Sequence, residues 1–276
     1  MKNMLFARVA SKKFIKKRLY ALFASLVLWH GLEVKFLKMY KLYEKNEIYF
    51  ALMWIVAYVA IMAPIKGQFS WLFAIIAFSA GIIAFVRFNH LEEKYGLSGF
   101  PENMKKYLYF IPMFILATGN LWGGYSLAGG WTELFTATLS MIFVGFVEEM
   151  LFRGFLFKAM LGKGKTNSAI FVSAVTFGIG HILNMFEGQA SFETLMQIIF
   201  AISWGFILTM VFYKSGSLLP CIIAHAMIDT FSLYGTESDL TSRIYIGATI
   251  VTAIVYCIYL SRLHTPDSEK KMHVEK

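Results

Sequence analysis

Long apolar runs alternate with short polar stretches along most of the chain. Eight of these runs are long enough to cross a bilayer, which takes roughly 20 residues. They lie near residues 48–65, 68–87, 107–127, 133–157, 168–184, 194–213, 218–234 and 244–261. The third run carries Pro112 and ends in Gly123-Gly124, so a kink or an early end is expected there. The pattern predicts an all-α, multi-pass membrane bundle of about eight transmembrane helices.

The composition agrees with this prediction. Apolar residues make up 58% of the 276 residues and charged residues only 16%. Soluble domains contain about 45–50% apolar and about 25% charged residues, so an ordinary soluble globule and a disordered chain are both excluded. The two cysteines, Cys221 and Cys257, both lie in apolar runs, which excludes a disulfide scaffold.

The basic residues are distributed unevenly and predict the orientation. Residues 1–47 hold 11 Lys and Arg against 3 Glu, and the alternate loops that follow contain most of the remaining Lys and Arg. By the positive-inside rule, both termini are expected in the cytoplasm, in a multi-pass protein of the cell membrane. The basic N-terminal segment is expected to contact anionic lipids, and no motif accompanies it that would indicate nucleic-acid binding.

The chain is predicted to form one membrane-embedded domain with two flanking segments. Residues 1–47 form the basic N-terminal segment, residues 48–262 the membrane domain, and residues 263–276 a cytoplasmic tail. Within the first segment, residues 19–29 form an apolar run of 11 behind a basic cluster, with no small-residue cleavage site after it. This run is too short to cross and is expected to lie on the inner leaflet as an interfacial helix.

Six Glu, Asp, Arg and His side chains lie in the interiors of the predicted spans. Each is a candidate site residue, because inserting such a group costs roughly 2.5–3.5 kcal/mol. They are Glu148, Glu149, Arg153, His181, His225 and Asp229. Glu149 and Arg153 are four residues apart, so they share a helix face and can form an ion pair. Glu148 is rotated by about 100° from Glu149 around the helix axis, so it has no charged partner on its own helix. A carboxylate without such a partner is suited to act as a general base.

The histidines extend this candidate site. His181 follows two glycines that allow another backbone to approach closely, and it is either a satisfied core residue or a part of the site. His225 and Asp229 share a helix face, so Asp229 can hold one ring nitrogen of His225. At about 1.5 Å per residue, Glu148, His181, His225 and Asp229 all fall roughly 10–20 Å from the cytoplasmic end. One shared site is therefore feasible.

Three motifs in order resemble the CAAX protease and bacteriocin-processing family of intramembrane endopeptidases. They are Glu148-Glu149-x-x-x-Arg153, Phe177-x-x-x-His181 and His225-x-x-x-Asp229, in a motif core over residues 133–234. The resemblance implies intramembrane proteolysis of a membrane-bound or lipidated protein or peptide. The prenyl-protein proteases of the family typically have Asn at the position of Asp229, so the resemblance points to proteolysis more than to a CAAX substrate.

The resemblance also implies roles for these residues. Glu148 would be the general base and His181 would position the attacking water. His225 and Asp229 would face the scissile carbonyl, with Glu149 and Arg153 supporting the site. The family has been described as glutamate-dependent and as metal-dependent. No cofactor is expected on the first description, whereas on the second His181, His225 and one carboxylate would hold Zn²⁺.

Two other functions remain open on the sequence. A transporter or proton relay also needs Glu, His and Asp within the membrane, although the chain shows no inverted repeat. A non-enzymatic membrane partner of the same family would keep the site but use it for binding.

Overall fold

The computed structural model describes residues 38–68, 70–101, 107–127, 130–186, 188–236 and 238–263. The boundary between two structural units lies between Asn46 and Glu47, one residue from the predicted start of the membrane domain. In the first unit, residues 38–45 are helical. The predicted interfacial helix at 19–29 and most of the predicted tail lie outside the described residues.

The second unit is built from helices. They are α1 (Glu47–Met62), α2 (Ser70–Phe88), α3 (Phe110–Ala117), α4 (Trp131–Glu149), α5 (Lys158–Leu161), α6 (Thr166–Ile179), α7 (Leu183–Phe186), α8 (Ser191–Ser215), α9 (Leu219–Ser232) and α10 (Asp239–Arg262). A π-helix, Met150–Phe157, joins α4 to α5. There are also three 3₁₀ turns: Ala63–Ile65 extends α1, Gly119–Leu121 follows α3, and Gly180–Ile182 extends α6. The bridge between Tyr125 and Gly235 is the only strand-like pairing among the described residues.

Six helical segments of the described chain are long and apolar enough to cross a membrane, which confirms the predicted helical membrane bundle. They are Glu47–Ile65, Ser70–Phe88, Trp131–Leu161, Thr166–Phe186, Ser191–Ser215 and Asp239–Arg262. The predicted number of eight is not reached, because the runs at 107–127 and 218–234 contain the shorter helices α3 and α9.

The helix α3 ends early because of its glycines and its neighbours. A Cβ added to Gly119 would lie 2.1 Å from the ring of Tyr245, so α10 approaches too closely for any larger residue. Gly124 then adopts a φ of +110°, a conformation that favours glycine. The segment still runs beside α9, since the side-chain amide of Asn120 donates to the carbonyl of Ile228 at 2.8 Å.

The helix α9 begins directly after a sharp reversal of the chain. Helix α8 ends at Ser215, and the next residue, Gly216, has a left-handed φ of +69°. Pro220 occupies the first turn of α9. On the other side of this reversal, the amide of Leu218 donates to the carbonyl of Gly96 at 2.9 Å. This contact and the Lys94–Glu47 ion pair define the Glu47 end of the bundle. The opposite end, where α1 finishes, is called the Lys66 end.

Small residues let the helices that carry the three motifs cross closely. A Cβ on Gly145 would lie 2.9 Å from the backbone nitrogen of Ala226, so α4 and α9 touch one turn before the acid pair and next to His225. A Cβ on Gly205 would lie 2.8 Å from the Cα of Ala174, which places α8 directly against α6. The first crossing therefore joins two of the motif helices, and the second packs the third motif helix, α6, against α8.

Aromatic side chains fill the bundle toward the Glu47 end. The ring of Phe155 lies 5.4 Å from Phe50, 6.1 Å from Phe85 and 5.2 Å from Tyr95, and all four side chains are buried. Aromatic pairs at these distances add packing energy beyond the burial of their surface. The interior is therefore closely packed between the acid pair and this end of the bundle.

Candidate active site

The acid pair lies where α4 changes into the π-helix. Glu149 is the last residue of α4, and all eight residues of Met150–Phe157 are buried. Arg153 Nη1 donates to Glu149 Oε1 at 2.8 Å, and neither side chain is exposed. The pair predicted from the spacing is therefore present. Helical turns of the π type are frequent at functional sites because they displace side chains from their α-helical positions.

Arg153 also connects the acid pair to two neighbouring helices. Its guanidinium carbon lies 4.3 Å from the centre of the Phe177 ring on α6, and Nη2 lies 3.5 Å from the carbonyl oxygen of Gly205 on α8. A cation over an aromatic face in a desolvated place is stabilised by about 2 kcal/mol. Arg153 thus holds three helices at the level of the site.

His225 contacts an acid on each side of its ring, and Glu149 is the closer of the two. Its Nδ1 lies 2.8 Å from Glu149 Oε1, within hydrogen-bond distance. The predicted partner Asp229 lies on the other side of the ring, with Oδ2 3.5 Å from Nε2. Asp229 therefore lies beside one ring nitrogen of His225, as the spacing along α9 predicted, while the crossing at Gly145 and Ala226 brings a second and closer acid from α4 to the other nitrogen.

Glu148 points away from Arg153 and toward His225. Its Oε2 lies 3.7 Å from His225 Nε2, and 19% of its side chain is exposed. Its other oxygen, Oε1, accepts a hydrogen bond from the hydroxyl of Tyr58 at 2.9 Å. The two adjacent acids therefore differ: Glu149 is buried beneath the site, and Glu148 faces open space.

Tyr58 is a site residue that the sequence reasoning missed. It lies on α1, which carries no charged side chain after Glu47 in its first turn. The signal that could have found it is a phenolic hydroxyl in a strongly apolar span, since a buried Tyr hydroxyl usually finds a hydrogen-bond partner.

His181 lies in the 3₁₀ turn that extends α6. Its ring packs edge-on against Phe177 at 5.6 Å, and Phe177 packs edge-on against His225 at 5.4 Å. One aromatic ring therefore contacts both histidines.

A cavity of about 290 Å³ brings the candidates together. Glu148, His181, His225 and Asp229 line it, together with Tyr58 and with apolar side chains that include Met141, Val144 and Phe152. Of the six predicted site residues, Glu149 and Arg153 do not line the cavity and lie behind it. The arrangement presents two carboxylates and two imidazoles to an otherwise mostly apolar space.

Several polar side chains of this cluster contact one another. Tyr58 is bound to Glu148, and Glu149 to His225. In the described part of the chain, no group of three or more His, Cys, Asp and Glu side chains is arranged to hold a metal ion. The two histidines named as alternative zinc ligands are not part of such a group among these residues.

One family comparison covers this site. Residues 130–231 match the family model described as type II CAAX prenyl endopeptidase, Rce1-like. The match begins just before α4, ends within α9 and contains all six predicted site residues, so the family predicted from the three motifs is confirmed over this segment. It supports a multi-pass membrane protease of the CAAX endopeptidase type. No curated protein and no solved structure gives a significant match to the chain.

Proposed function

We propose that this protein is an intramembrane endopeptidase that hydrolyses a peptide bond with water activated by Glu148. The observation that carries the proposal is the position of Glu148. Its carboxylate lies in the cavity, held on one oxygen by Tyr58 at 2.9 Å and facing His225 Nε2 with the other at 3.7 Å. A carboxylate so placed can take a proton from a water molecule beside it.

The hydrolysis then proceeds in two steps. Glu148 removes a proton from water, the water oxygen bonds to the scissile carbonyl carbon, and the carbonyl oxygen becomes an oxyanion. Glu148 next returns the proton to the amide nitrogen, the oxyanion re-forms the carbonyl as the carbon–nitrogen bond breaks, and a carboxylic acid and an amine are released. His181, on the cavity wall, positions the water.

His225 is the proposed donor to the oxyanion. A carboxylate can only accept hydrogen bonds, so the 2.8 Å contact with Glu149 fixes the proton of Nδ1 on His225. Nε2 faces the cavity beside the carboxylates of Glu148 at 3.7 Å and Asp229 at 3.5 Å. In the doubly protonated imidazolium form of the ring, Nε2 also carries a proton and donates it in a hydrogen bond to the oxyanion. Donors fixed in advance at such a point supply a large share of catalysis in many enzymes. Asp229, 3.5 Å from Nε2, borders the same space.

The proposed substrate is a protein or peptide with a lipidated or membrane-embedded part. The name of the matched family model points to prenylated protein tails, and the apolar side chains of the cavity suit such a ligand. Asp229 stands where the prenyl-protein proteases typically have Asn, so an exported peptide is the other substrate of the same class. We also propose that both termini lie in the cytoplasm and that the basic N-terminal segment contacts anionic lipid.

The test is a comparison of peptide ends in host membranes and medium. One strain expresses the wild type and another Glu148→Ala, at matched protein levels in a host that contains the native partner. New peptide ends that appear only with the wild type would support a protease and would identify its substrate. Identical profiles would instead favour a non-enzymatic membrane partner, and flux assays would then test transport.

A further inference from the structure

Two glycines precede His181 in the chain, and packing between helices accounts for only one of them. A Cβ on Gly178 would lie 2.3 Å from the side chain of Ile202, so this glycine lets α8 approach α6. Apart from its immediate surroundings on its own helix, a Cβ on Gly180 would meet no heavy atom of the described residues within 4 Å. Gly180 also has a right-handed helical φ of −52°, which any residue adopts. Neither packing nor backbone conformation therefore requires a glycine at position 180.

Gly180 lies in the wall of the cavity that contains Glu148. Phe177, three residues before it, and Leu183 and Asn184, three and four residues after it, line the same cavity. Residues three and four apart share a helix face, and a 3₁₀ turn brings residues three apart into line. A side chain at position 180 would therefore point into the cavity. The space that such a side chain would fill, between Phe177 and Leu183, is called the Gly180 recess.

The Gly180 recess suits an apolar side chain of a ligand. Both of its neighbours along the helix, Phe177 and Leu183, are apolar, and burial of apolar surface between them is favourable. Glycine is also a poorer helix former than alanine, so the open wall is kept at some expense in local stability. A ligand group that enters the recess gives this glycine a reason that the fold does not provide.

The Gly180 recess lies next to the residue that positions water in the proposed reaction. The Cα atoms of Gly180 and His181 are about 3.8 Å apart, as in any pair of adjacent residues. An extended peptide advances about 3.3 Å per residue, so the recess lies about one substrate residue from the group that faces His181.

We propose that Gly180 determines specificity, because its recess admits a large apolar side chain of the substrate residue next to the scissile bond. This inference rests on the proposed function, in which Glu148 activates the water and His181 positions it. A larger residue at position 180 fills the recess and restricts the substrate to small side chains at that point. The acids and His225 lie on other helices and keep their positions.

Binding to an inactive variant tests the recess without requiring cleavage. The probes are two fluorescent, N-palmitoylated hexapeptides, one of leucine and one of alanine, in which every position carries the same side chain. Their register in the cavity therefore does not matter. Dissociation constants are measured by anisotropy with Glu148→Gln protein in phosphatidylcholine nanodiscs and corrected for binding to protein-free nanodiscs. We expect the leucine peptide to bind about tenfold more tightly than the alanine peptide.

Larger residues at position 180, in the Glu148→Gln background, should reverse this preference in steps. Gly180→Ala should weaken the leucine peptide by about threefold and Gly180→Leu by about tenfold or more, while the alanine peptide changes by less than about twofold. Gly180→Ala should also unfold at a slightly higher temperature than its parent, because alanine is the better helix former. If Gly180→Leu does not fold, the result for Gly180→Ala decides.

Gly247→Leu is the matched control. Gly247 is exposed within α10 and lies outside the cavity, and a Cβ there would also meet no heavy atom of the described part of the chain within 4 Å. This variant should bind both peptides as its parent does. Equal binding of the two peptides by the parent, no binding of either, or an unchanged preference in the Gly180 variants would overturn the inference. Equal weakening of both peptides would place the palmitoyl chain in the recess and overturn the side-chain assignment.

The peptide profiles of the wild type and Glu148→Ala separate this inference from the proposed function. A preference for leucine that Gly180→Leu removes, together with identical profiles, would count against the proposed function alone and leave the recess supported as a binding site. If the profiles reveal a substrate, its residues beside the cleaved bond are exchanged between Leu and Ala. The active Gly180→Leu variant should then cleave the Ala form in preference to the Leu form, and an unchanged preference would overturn the inference.

Discussion

The carboxylate of Glu149 lies 2.8 Å from Nδ1 of His225, across the close crossing of α4 and α9. The same oxygen, Oε1, accepts from Arg153, so a single buried atom joins the ion pair to the imidazole of the site. The adjacent Glu148 points away from Arg153, and its side chain is only partly buried. Two consecutive acids thus have separate tasks: one builds the site, and the other faces the cavity.

This division predicts different effects of the two acids on stability. Glu149→Ala leaves the buried guanidinium of Arg153 without its partner and should lower the free energy of unfolding by about 3–5 kcal/mol. Glu148→Ala removes a partly exposed carboxylate and should lower it by less than about 1 kcal/mol. Unfolding of both variants in the same detergent, followed by circular dichroism, measures the difference. Equal losses would contradict the assignment of the two acids.

Tyr58 should affect the rate rather than substrate binding. Tyr58→Phe keeps the ring but removes the hydroxyl that donates to Glu148 Oε1, so Glu148 is less firmly positioned. We expect kcat to fall about tenfold with KM little changed, because a positioning bond of about 1.4 kcal/mol corresponds to that factor.

Tyr49→Phe is the matched control on the same helix, since Tyr49 is 69% exposed. It should keep the wild-type kcat. A change in KM alone for Tyr58→Phe would place Tyr58 in substrate binding and not in the positioning of Glu148.

Asp229 should tolerate replacement by its amide. It does not hold Nδ1 of His225, so Asp229→Asn leaves the orientation of the ring unchanged. The amide can also donate to an oxyanion, which an ionised carboxylate cannot do. We expect the kcat of Asp229→Asn to stay within about twofold of the wild-type value. The kcat of Asp229→Ala should fall about tenfold or more. Activity that is lost equally in both variants would show that the negative charge itself is required.

Metal removal should leave the activity intact. The proposed base is held by Tyr58 and the imidazole by Glu149, so the observed contacts already account for the positions of both groups. Purified protein is dialysed against a chelator, its metal content is measured, and its cleavage rate is compared with that of untreated protein. A loss of activity that added Zn²⁺ restores would contradict the glutamate mechanism proposed above.

The sequence predicted the elements of this site better than their connections. The spacing of Glu149 and Arg153 was sufficient to predict their ion pair, because both residues lie on one continuous helical segment. The contact of Glu149 with His225 spans 76 residues and depends on the crossing of Gly145 with Ala226, which no local pattern reveals. Tyr58 was missed for a similar reason: its partner lies 90 residues away.

Two of the eight predicted spans are not confirmed as helices long enough to cross a membrane. Hydropathy over residues 107–127 is that of a membrane helix, but Gly119 is packed against Tyr245 and Gly124 has a positive φ, so the helix ends at Ala117. The sequence analysis predicted a kink or an early end of this helix from Pro112 and Gly123-Gly124, and the structure confirms the early end. The length of α9 was overestimated because the run 218–234 continues through the turn that follows Ser232.

The most direct test of the central claim is the cleavage rate of purified protein in which Glu148 is replaced by Gln. The native substrate, once identified by peptide profiling, is offered to wild type, Glu148→Gln and the matched control Glu193→Gln, an exposed acid in the first turn of α8. All three are compared at equal amounts of folded protein. We predict that Glu148→Gln lowers kcat by about 10²–10⁴, the range typical of a lost general base, and that Glu193→Gln has no effect. Equal rates for the wild type and Glu148→Gln would contradict the account.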